Sequence, residues 1–557
     1  TLQIAMSCLP LIKFKLKTRQ NQMHLQMYLW ESAFMIRKPA DAIIIGSGIN
    51  SLVCAYALAT KGWSVIVLEQ ATTAGGAIKT QGLTLDGFSH DWAAMNLSLF
   101  AGSQFFKENA HDLTQYGVEF TQVKHCFASV FANDRWLGIS QDPSLNKSRI
   151  AEISHQDSET WEILGDAFPS EAEHLFGILG TPMKIRAFTS IIWRALRKKG
   201  LGGTQDLIRF LAQSPRAWLE ETFESPEIRA TLGAWGMHLD FAPDIAGGAL
   251  FPYLEAMANQ SFGMVLGKGG ADTIVTALSA AIEAKGGQIL CGHAVDQILH
   301  HNGCAAGVVV DGVSIYAKRA VIANVAPRAM MQLVGGTKKP RYDKSMTDFR
   351  HAPGTMMIHL AMSDLPDWVA SDELQKFAYV HVAPSLDQMA LSYQQASAGL
   401  LPQEPVIVVG QPTAVDPSRA PKGKHILWIQ VRMVPGLIKA DAAGQITTTD
   451  WAEAAGPFAD RVLNLIEAHA PGLRAKILGR RIVTPIELES DNPNLVGGDQ
   501  VCGSHHLSQN FLFRPARGYA DGTTPIRNLY HTGAAVWPGA GTGAGSGYQL
   551  GRKLTRT

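Results

Sequence analysis

Three groups of residues in this chain have the types and spacing to do chemistry. The first is Gly46-Ser47-Gly48-Ile49-Asn50-Ser51, directly after the apolar run 42–45. Its first glycine permits a tight turn, its second lets backbone N–H groups reach a pyrophosphate, and its third position relieves crowding between helix and strand. Serine at 51 is the smallest substitute for the usual third glycine, so the phosphate role stays with Gly46 and Gly48. Glu69 follows Gly46 by 23 residues, with Gln70 beside it, and closes the next β-branched run, where an acid takes ribose hydroxyls. The second group is Gly75-Gly76-Ala77, six residues past Glu69. A second backbone approach to the same phosphates suits a resident flavin dinucleotide better than a plain nicotinamide. The third is Gly533-Ala534 with Pro538 to Gly543, a glycine-rich loop opening a short helix and offering free N–H groups to an anion, or else a plain glycine-rich cap.

Acid–base groups are less well defined. His90-Asp91 follows the turn LDGFSH and reads as an acid–base pair or as a loop-fixing pair. His505 and His506 read as substrate-side groups or as a structural pair, and His531 as a satisfied core histidine. Trp537 can stack on a ring or on substrate. Flavin dehydrogenation needs only a hydride acceptor aligned with a substrate C–H, so no base is obligatory. The catalytic residue stays unassigned, with His90, His505, His506 and Trp537 as weak candidates.

These groups need elements to hold them. Strand 42–45, helix 52–61 ending at Gly62 and strand 64–68 make one βαβ unit. Residues 150–260 read as aromatic-bearing helices broken at Pro182, Pro215, Pro226 and Pro243. A loop, helix and strand pair follow, then strand 317–324, recurring strands between 340 and 440 that include TMMIHLAMS and KHILWIQVRMV, and a helix at 450–470. The expected fold is α/β: a discontinuous Rossmann-like FAD-binding domain (35–150, 261–335 and 481–557) with an inserted mixed α+β substrate domain (helices 151–260, sheet and helix 336–480). Residues 1–34, basic and free of acids before Glu31, read as an extension outside the fold or as a targeting leader.

Composition excludes several classes. The chain has 557 residues, enough for two or three domains, and a net charge of +1 that offers no general attraction for nucleic acid. Its six cysteines (Cys8, Cys54, Cys126, Cys291, Cys304 and Cys502) form no C-x-x-C pair, which argues for a reducing compartment and against a dithiol centre; no metal site is expected. No apolar run is long enough to span a bilayer. The segment IIWRALRKKGLGG sets Arg194, Arg197, Lys198 and Lys199 beside Ile191, Ile192, Trp193 and Leu196, suiting an interfacial helix or an ordinary amphipathic one. A cytoplasmic location with peripheral membrane contact is expected, with organellar import left open by the basic extension.

The Glu69-to-Gly75-Gly76 spacing after a Rossmann turn resembles the FAD-binding amine-oxidase and phytoene-desaturase superfamily. Within it the chain is most similar to the phytoene-dehydrogenase-related branch, which includes desaturase-type carotenoid ketolases and pyridine nucleotide-disulphide oxidoreductase domain proteins. The segments GSGINSLVCAYALA, VIVLEQATTAGGAIKT, GFSHDWAAMNLSLF, VIANVAP and NLYHTGAAVWPGAGTGAGSG carry the likeness. It implies FAD held by Gly46, Gly48, Ile49, Asn50, Ser51, Glu69, Gln70, Gly75, Gly76 and Ala77. Ala94 and Met95 would lie on the flavin's pyrimidine side and Val295 at the adenine, with Gly533, Ala534, Pro538, Gly541, Thr542 and Gly543 closing over the ribityl chain and ring. Ser51 departs from the family pattern, as does Cys502, which stands where the branch often carries a histidine.

The resemblance implies an FAD-dependent oxidoreductase that takes hydride from a largely apolar substrate to flavin N5 and is reoxidised by oxygen, a quinone or another acceptor. A flavin amine oxidase is the alternative, and a prenyl-binding module of the GDP-dissociation-inhibitor type a third.

Overall fold

A computed structural model describes residues 39–556, so the expected extension at 1–34 lies outside the described residues. The first sheet has a parallel core in the order Gln288–Cys291, Val65–Glu69, Ala40–Ile45, Val313–Ala323 and Leu529–His531. Strands Ala40–Ile45 and Val65–Glu69 are almost wholly enclosed, which is why they read as unbroken apolar runs rather than alternating ones. The first half of the long strand Val313–Ala323 pairs antiparallel with Cys304–Val310, which pairs in turn with Val295–His301.

Helix Ile49–Thr60 joins the first two strands and lies against the C-terminal helix Gly545–Thr555. The two helices approach closely because glycines face the contact: a Cβ on Gly547 would sit 2.0 Å from the Asn50 carbonyl oxygen, and one on Gly551 would sit 2.8 Å from Ala57 Cβ. Nearly 500 residues of intervening chain are thereby closed onto the first helix.

The second sheet has seven strands, in the order Ile477–Val483, Gly354–Met362, His425–Val434, Val406–Gly410, Tyr379–Val382, His125–Val130 and Trp136–Ser140. Strands 125–140 thus belong to this sheet, although the sequence places them in the first part of the FAD-binding domain. Their short alternating runs carry no mark of which sheet they join; pairing with Tyr379–Val382 decides it. Leu427, Ile429 and Val431 pack on one face of the sheet beneath helix Trp451–Glu467, while Trp428 and Met433 pack on the other. That second face is covered by helices Pro226–Gly236 and Leu250–Phe262. Pro215 and Pro226 open helices at their first turns, as their missing N–H groups allow. Pro169, by contrast, lies inside helix His155–Leu179.

A buried ion pair ties segments far apart in sequence. Arg419 is fully enclosed and bonds Asp91, sets its Nε 3.2 Å from Asp416, and donates to the Gly267 carbonyl at 2.6 Å. Asp91 also accepts from Thr80 Oγ1 at 2.8 Å and the Ala271 N–H at 2.7 Å. Asp91 therefore fixes loops, the second of its two sequence readings. Removing one partner of such a pair leaves an unmatched buried charge. Arg419→Met is expected to destabilise the protein by about 3–5 kcal/mol in chemical denaturation, and a loss below about 1 kcal/mol would show that the pair does not hold these segments.

Candidate cofactor cleft

The parallel strands end together at one edge of the first sheet, and the loops leaving them border a single cleft. Ile45, Leu68, Asn324 and Thr532, at or just beyond the ends of four strands, all face it. This is where doubly wound sheets bind ligands, because diverging loops open a crevice there. The cleft encloses about 360 Å³.

Gly48 caps helix Ile49–Thr60 with no side-chain hydrogen bond and no acid in the first turn; the Ser51 N–H donates to the Gly48 carbonyl at 2.8 Å, and the N–H groups of Ile49 and Asn50 remain available to an anion. Gly46 has a φ of +83°, and a Cβ there would meet the Asn324 carbonyl oxygen at 3.0 Å. Gly75 and Gly76 come back over the same turn. Gly48 and Gly75 form a parallel bridge, and a Cβ on Gly76 would lie 3.2 Å from Gly48 Cα. With φ values of +121° and +61°, and Ile78's carbonyl oxygen 2.4 Å from a Cβ on Gly75, this pair has to be glycine.

Glu69 accepts from the Ser47 N–H at 2.8 Å, from Ser47 Oγ at 2.7 Å and from the Ala71 N–H at 2.8 Å. Ser47 Oγ also accepts from the Gly75 N–H at 3.1 Å, so one serine joins the acid to both glycine segments. A carboxylate has about four acceptor positions, which leaves room for a ribose hydroxyl.

Ser51 lies behind the turn with no exposure, its Oγ accepting from the Asn324 amide at 2.9 Å. The hydroxyl that a glycine would lack thus has a partner, and the departure from the fingerprint is matched by Asn324.

Of the residues expected at the cofactor, Gly46, Gly48, Ile49, Asn50, Glu69, Gln70, Gly75, Gly76, Ala77, Ala94, Val295, Ala534, Gly541 and Thr542 border the cleft. Ser51, Met95, Gly533, Pro538 and Gly543 do not line it but stand behind its wall. Met95 is buried against Gly410 of the second sheet. Gly533 donates to Ser546 Oγ at 3.0 Å, Pro538 packs on Gly545, and Gly543 lies against Leu99.

None of the four candidate catalytic residues faces the cleft. His90 is enclosed beside His359, and burial together with Arg419's charge lowers its pKa to about 4. His505 accepts from the Ala540 N–H at 3.1 Å and so supports the glycine loop from behind. Burial holds it well below the ordinary histidine range. His506 is 3.2 Å from an Asp240 carboxylate oxygen and 3.3 Å from the Tyr393 hydroxyl. Trp537 stacks on Phe511 with ring centroids 5.0 Å apart and donates to the Thr181 carbonyl at 2.9 Å. Each candidate found a partner in the packed interior, which sequence spacing does not reveal. His531, also enclosed, is bonded to the Val325 carbonyl at 2.8 Å, the core role expected of it.

Several residues on the cleft wall lie outside the expected cofactor contacts. Lys79 Nζ lies 2.8 Å from Asp491, which begins the segment Asp491–Leu495 along the same wall. Asn494 Nδ2 donates to the Asn324 carbonyl at 3.1 Å, and its Oδ1 accepts from the Ala326 N–H at 2.7 Å. Gln500 and Cys502 also face the cleft, and burial pushes the Cys502 thiol up to about 12, keeping it protonated. The DNPN run was the available signal for this segment, but its turn chemistry does not say what it covers.

A family profile described as an NAD(P)-binding Rossmann-like domain matches residues 44–108. The chain is 26% identical to rat pyridine nucleotide-disulfide oxidoreductase domain-containing protein 2, over 91% of this chain and 92% of the relative. It is 23% identical to the neurosporene-forming phytoene desaturase of Cereibacter sphaeroides, over 90% of this chain and 91% of that enzyme. Among solved structures, cyclohexylamine oxidase from Brevibacterium oxydans superimposes with a TM-score of 0.55 at 15% identity, covering 93% of this chain and 99% of that one. The resemblance to phytoene desaturases and amine oxidases therefore extends along almost the whole chain, and the last comparison speaks for the fold.

Two outcomes are expected from this geometry. Ser51→Gly restores the usual fingerprint but strips the Asn324 amide of its partner, so it should lower stability by about 1–2 kcal/mol; an unchanged or higher melting temperature would refute that role. The second concerns acid. His90 and His531 are held to about 4 and His381 to about 3, chiefly by burial. An unfolded chain takes up these protons near pH 6.5 while the folded one does not. Their contribution is complete above pH 6.5 and is lost as pH falls from there toward 3. A melting temperature that holds level between pH 7 and 4.5 would contradict it.

Proposed function

We propose that the protein is an FAD-dependent oxidoreductase acting on a largely apolar substrate. The observation that carries this reading is the reach of the cleft, which runs from the Gly46–Gly48 turn past Gly75-Gly76 to Ala540–Thr542, with three glycine-bearing segments set along a wall that also carries apolar and polar side chains. A nucleotide alone needs the turn and Glu69; the further glycine walls fit a ligand that continues beyond its pyrophosphate. The uncapped helix start suits that pyrophosphate, Glu69 suits a ribose, and the close-set glycines let two backbone segments approach each other beside it where any Cβ would clash.

FAD, when bound, supplies hydride acceptance. The chain's own residues then bind, orient and exclude water. Ser47 holds Glu69 in place for the ribose. His505 holds Ala540, and with it the loop that borders the far end of the cleft. Gln500, bonded to Gln430, links that end to the second sheet. The protonated Cys502 adds no charge there.

Relatives named for phytoene, a hydrocarbon, support an apolar substrate. The amine-oxidase reading is less well served. A lysine does stand on the cleft wall, but Lys79 is buried and its ammonium is engaged by Asp491. The electron acceptor is proposed to be oxygen, a quinone or a comparable small oxidant.

Purified protein is expected to be yellow, with flavin absorption released as FAD on denaturation. A folded, colourless preparation that FAD cannot reconstitute would overturn the reading. Glu69→Ala should lower flavin occupancy roughly tenfold, the loss of one or two charge-assisted hydrogen bonds; full retention would remove Glu69 from the ribose site.

A further inference from the structure

Helix Ile185–Ala212 is packed on one side and unaccompanied on the other. It breaks at Gly200, whose φ of +70° interrupts the helical path, and Thr204 Oγ1 donates to the Gly200 carbonyl at 2.7 Å. Before the break, Arg186, Trp193 and Arg197 recur at helical spacing on one face, with Ile185 and Arg194 at its margins. Ile185 is 66% exposed, Trp193 62% and Leu201, just past the break, 69%. Large apolar side chains left this exposed along one helix mark an interaction surface.

The charges on this face differ from those beside it. Lys198 pairs with Glu173 at 3.1 Å, Lys199 with Glu171, and Arg209 with Glu221 at 2.6 Å. Arg186, Arg194 and Arg197 are exposed and have no acidic partner among the described residues. The cations among the protruding apolar residues are therefore the unneutralised ones.

Beneath this helix lies a second cavity of about 50 Å³ with an apolar lining, including Phe188, Ile192, Ile208 and Phe511. Phe188 and Ile208 are also exposed at the surface. Phe511 stacks on Trp537, the residue that precedes the glycine loop of the cofactor cleft. Apolar contacts thus connect the exposed helix with the neighbourhood of the cleft.

We propose that helix Ile185–Ala212 docks the protein on an anionic lipid bilayer, with Ile185, Trp193 and Leu201 entering the interface and Arg186, Arg194 and Arg197 meeting lipid phosphates. An acidic protein or nucleic acid would satisfy the arginines but leave the protruding apolar side chains in water. A second copy of this chain would bring the same cations together. A bilayer with anionic headgroups matches both the charge and the apolar surface, and its interface is the environment that tryptophan favours. No described helix is long and apolar enough to cross a membrane, so the contact is a docking one. Docking stands apart from the oxidoreductase reading; delivery of an apolar substrate past Phe188 and Phe511 rests on it.

Full-length protein is sedimented with phosphatidylcholine–phosphatidylglycerol vesicles and with pure phosphatidylcholine vesicles. Binding to the anionic vesicles, falling as NaCl is raised, is the expected result. The combined variant R186Q/R194Q/R197Q should partition roughly a hundredfold more weakly, three cations at about 1 kcal/mol each. Trp193→Glu with Leu201→Glu should also release the protein. All these side chains are exposed, so flavin content and circular dichroism should match the unaltered protein. Flavin loss in the unaltered protein would bear on the cofactor reading alone. The proposal is overturned if unaltered protein stays in solution with anionic vesicles, if binding ignores headgroup charge, or if the variants bind as well as the parent. A self-associating protein that W193E/L201E renders monomeric, without vesicle binding, would assign the face to a second copy instead.

Discussion

Asn324 is the point about which the cofactor cleft is assembled. Its backbone N–H donates to Ile45 at the end of the first strand, at 2.9 Å, and its amide donates to Ser51. Three glycines from two distant segments crowd it. Side chains on Gly46 or Gly48 would come within 3.0 Å of it, and one on Gly533 would come within 2.1 Å. Asn494 then closes over its carbonyl. Strands Ala40–Ile45, Val313–Ala323 and Leu529–His531, together with the 491–495 segment, thus meet at one residue through both its backbone and its amide. The cleft follows from that close approach: loops that can touch leave a narrow space lined by N–H groups.

A wall of this kind limits what the protein can do on its own. Backbone and small side chains orient a ligand and exclude water, but they neither move protons nor accept hydride. The titratable groups that do face the cleft are already engaged, Glu69 with Ser47, Lys79 with Asp491 and His293 with Asp311 at 3.3 Å, or, like Cys502, are kept neutral by burial. The candidate histidines His90, His505 and His506 are instead engaged away from it, with Thr84, the Ala540 N–H and Asp240. On the proposed reading the protein contributes pre-organisation, and FAD would supply the chemistry.

The two sheets share this work unevenly. The first sheet presents strand ends to the cleft, whereas the second stands behind it and reaches it through Gln430 and Gln500. The helical region between residues 155 and 262 packs on the second sheet by its aromatic face and leaves Trp193 and its neighbouring arginines outward. The same stretch of chain thereby serves the core on one side and presents an unneutralised surface on the other.

The amino-acid sequence by itself determined the βαβ unit, the phosphate turn and the Glu69 and Gly75-Gly76 signals. These depend on local backbone geometry: where a positive φ coincides with a backbone too close for a Cβ, as at Gly46 and Gly75, only glycine fits, and the requirement is written at that position. It also determined the helical stretch at 150–260 through periodicity and proline. Only the tertiary structure decided that Ser51 meets Asn324, that Asp491–Leu495 borders the cleft, and that strands 125–140 join the second sheet. It alone turned His90, His505, His506 and Trp537 away from the cleft. Those outcomes depend on partners hundreds of residues away, and a polar side chain's role is set by what it faces. A histidine's type and spacing are the same whether it faces a ligand or a carbonyl, and only packing distinguishes the two.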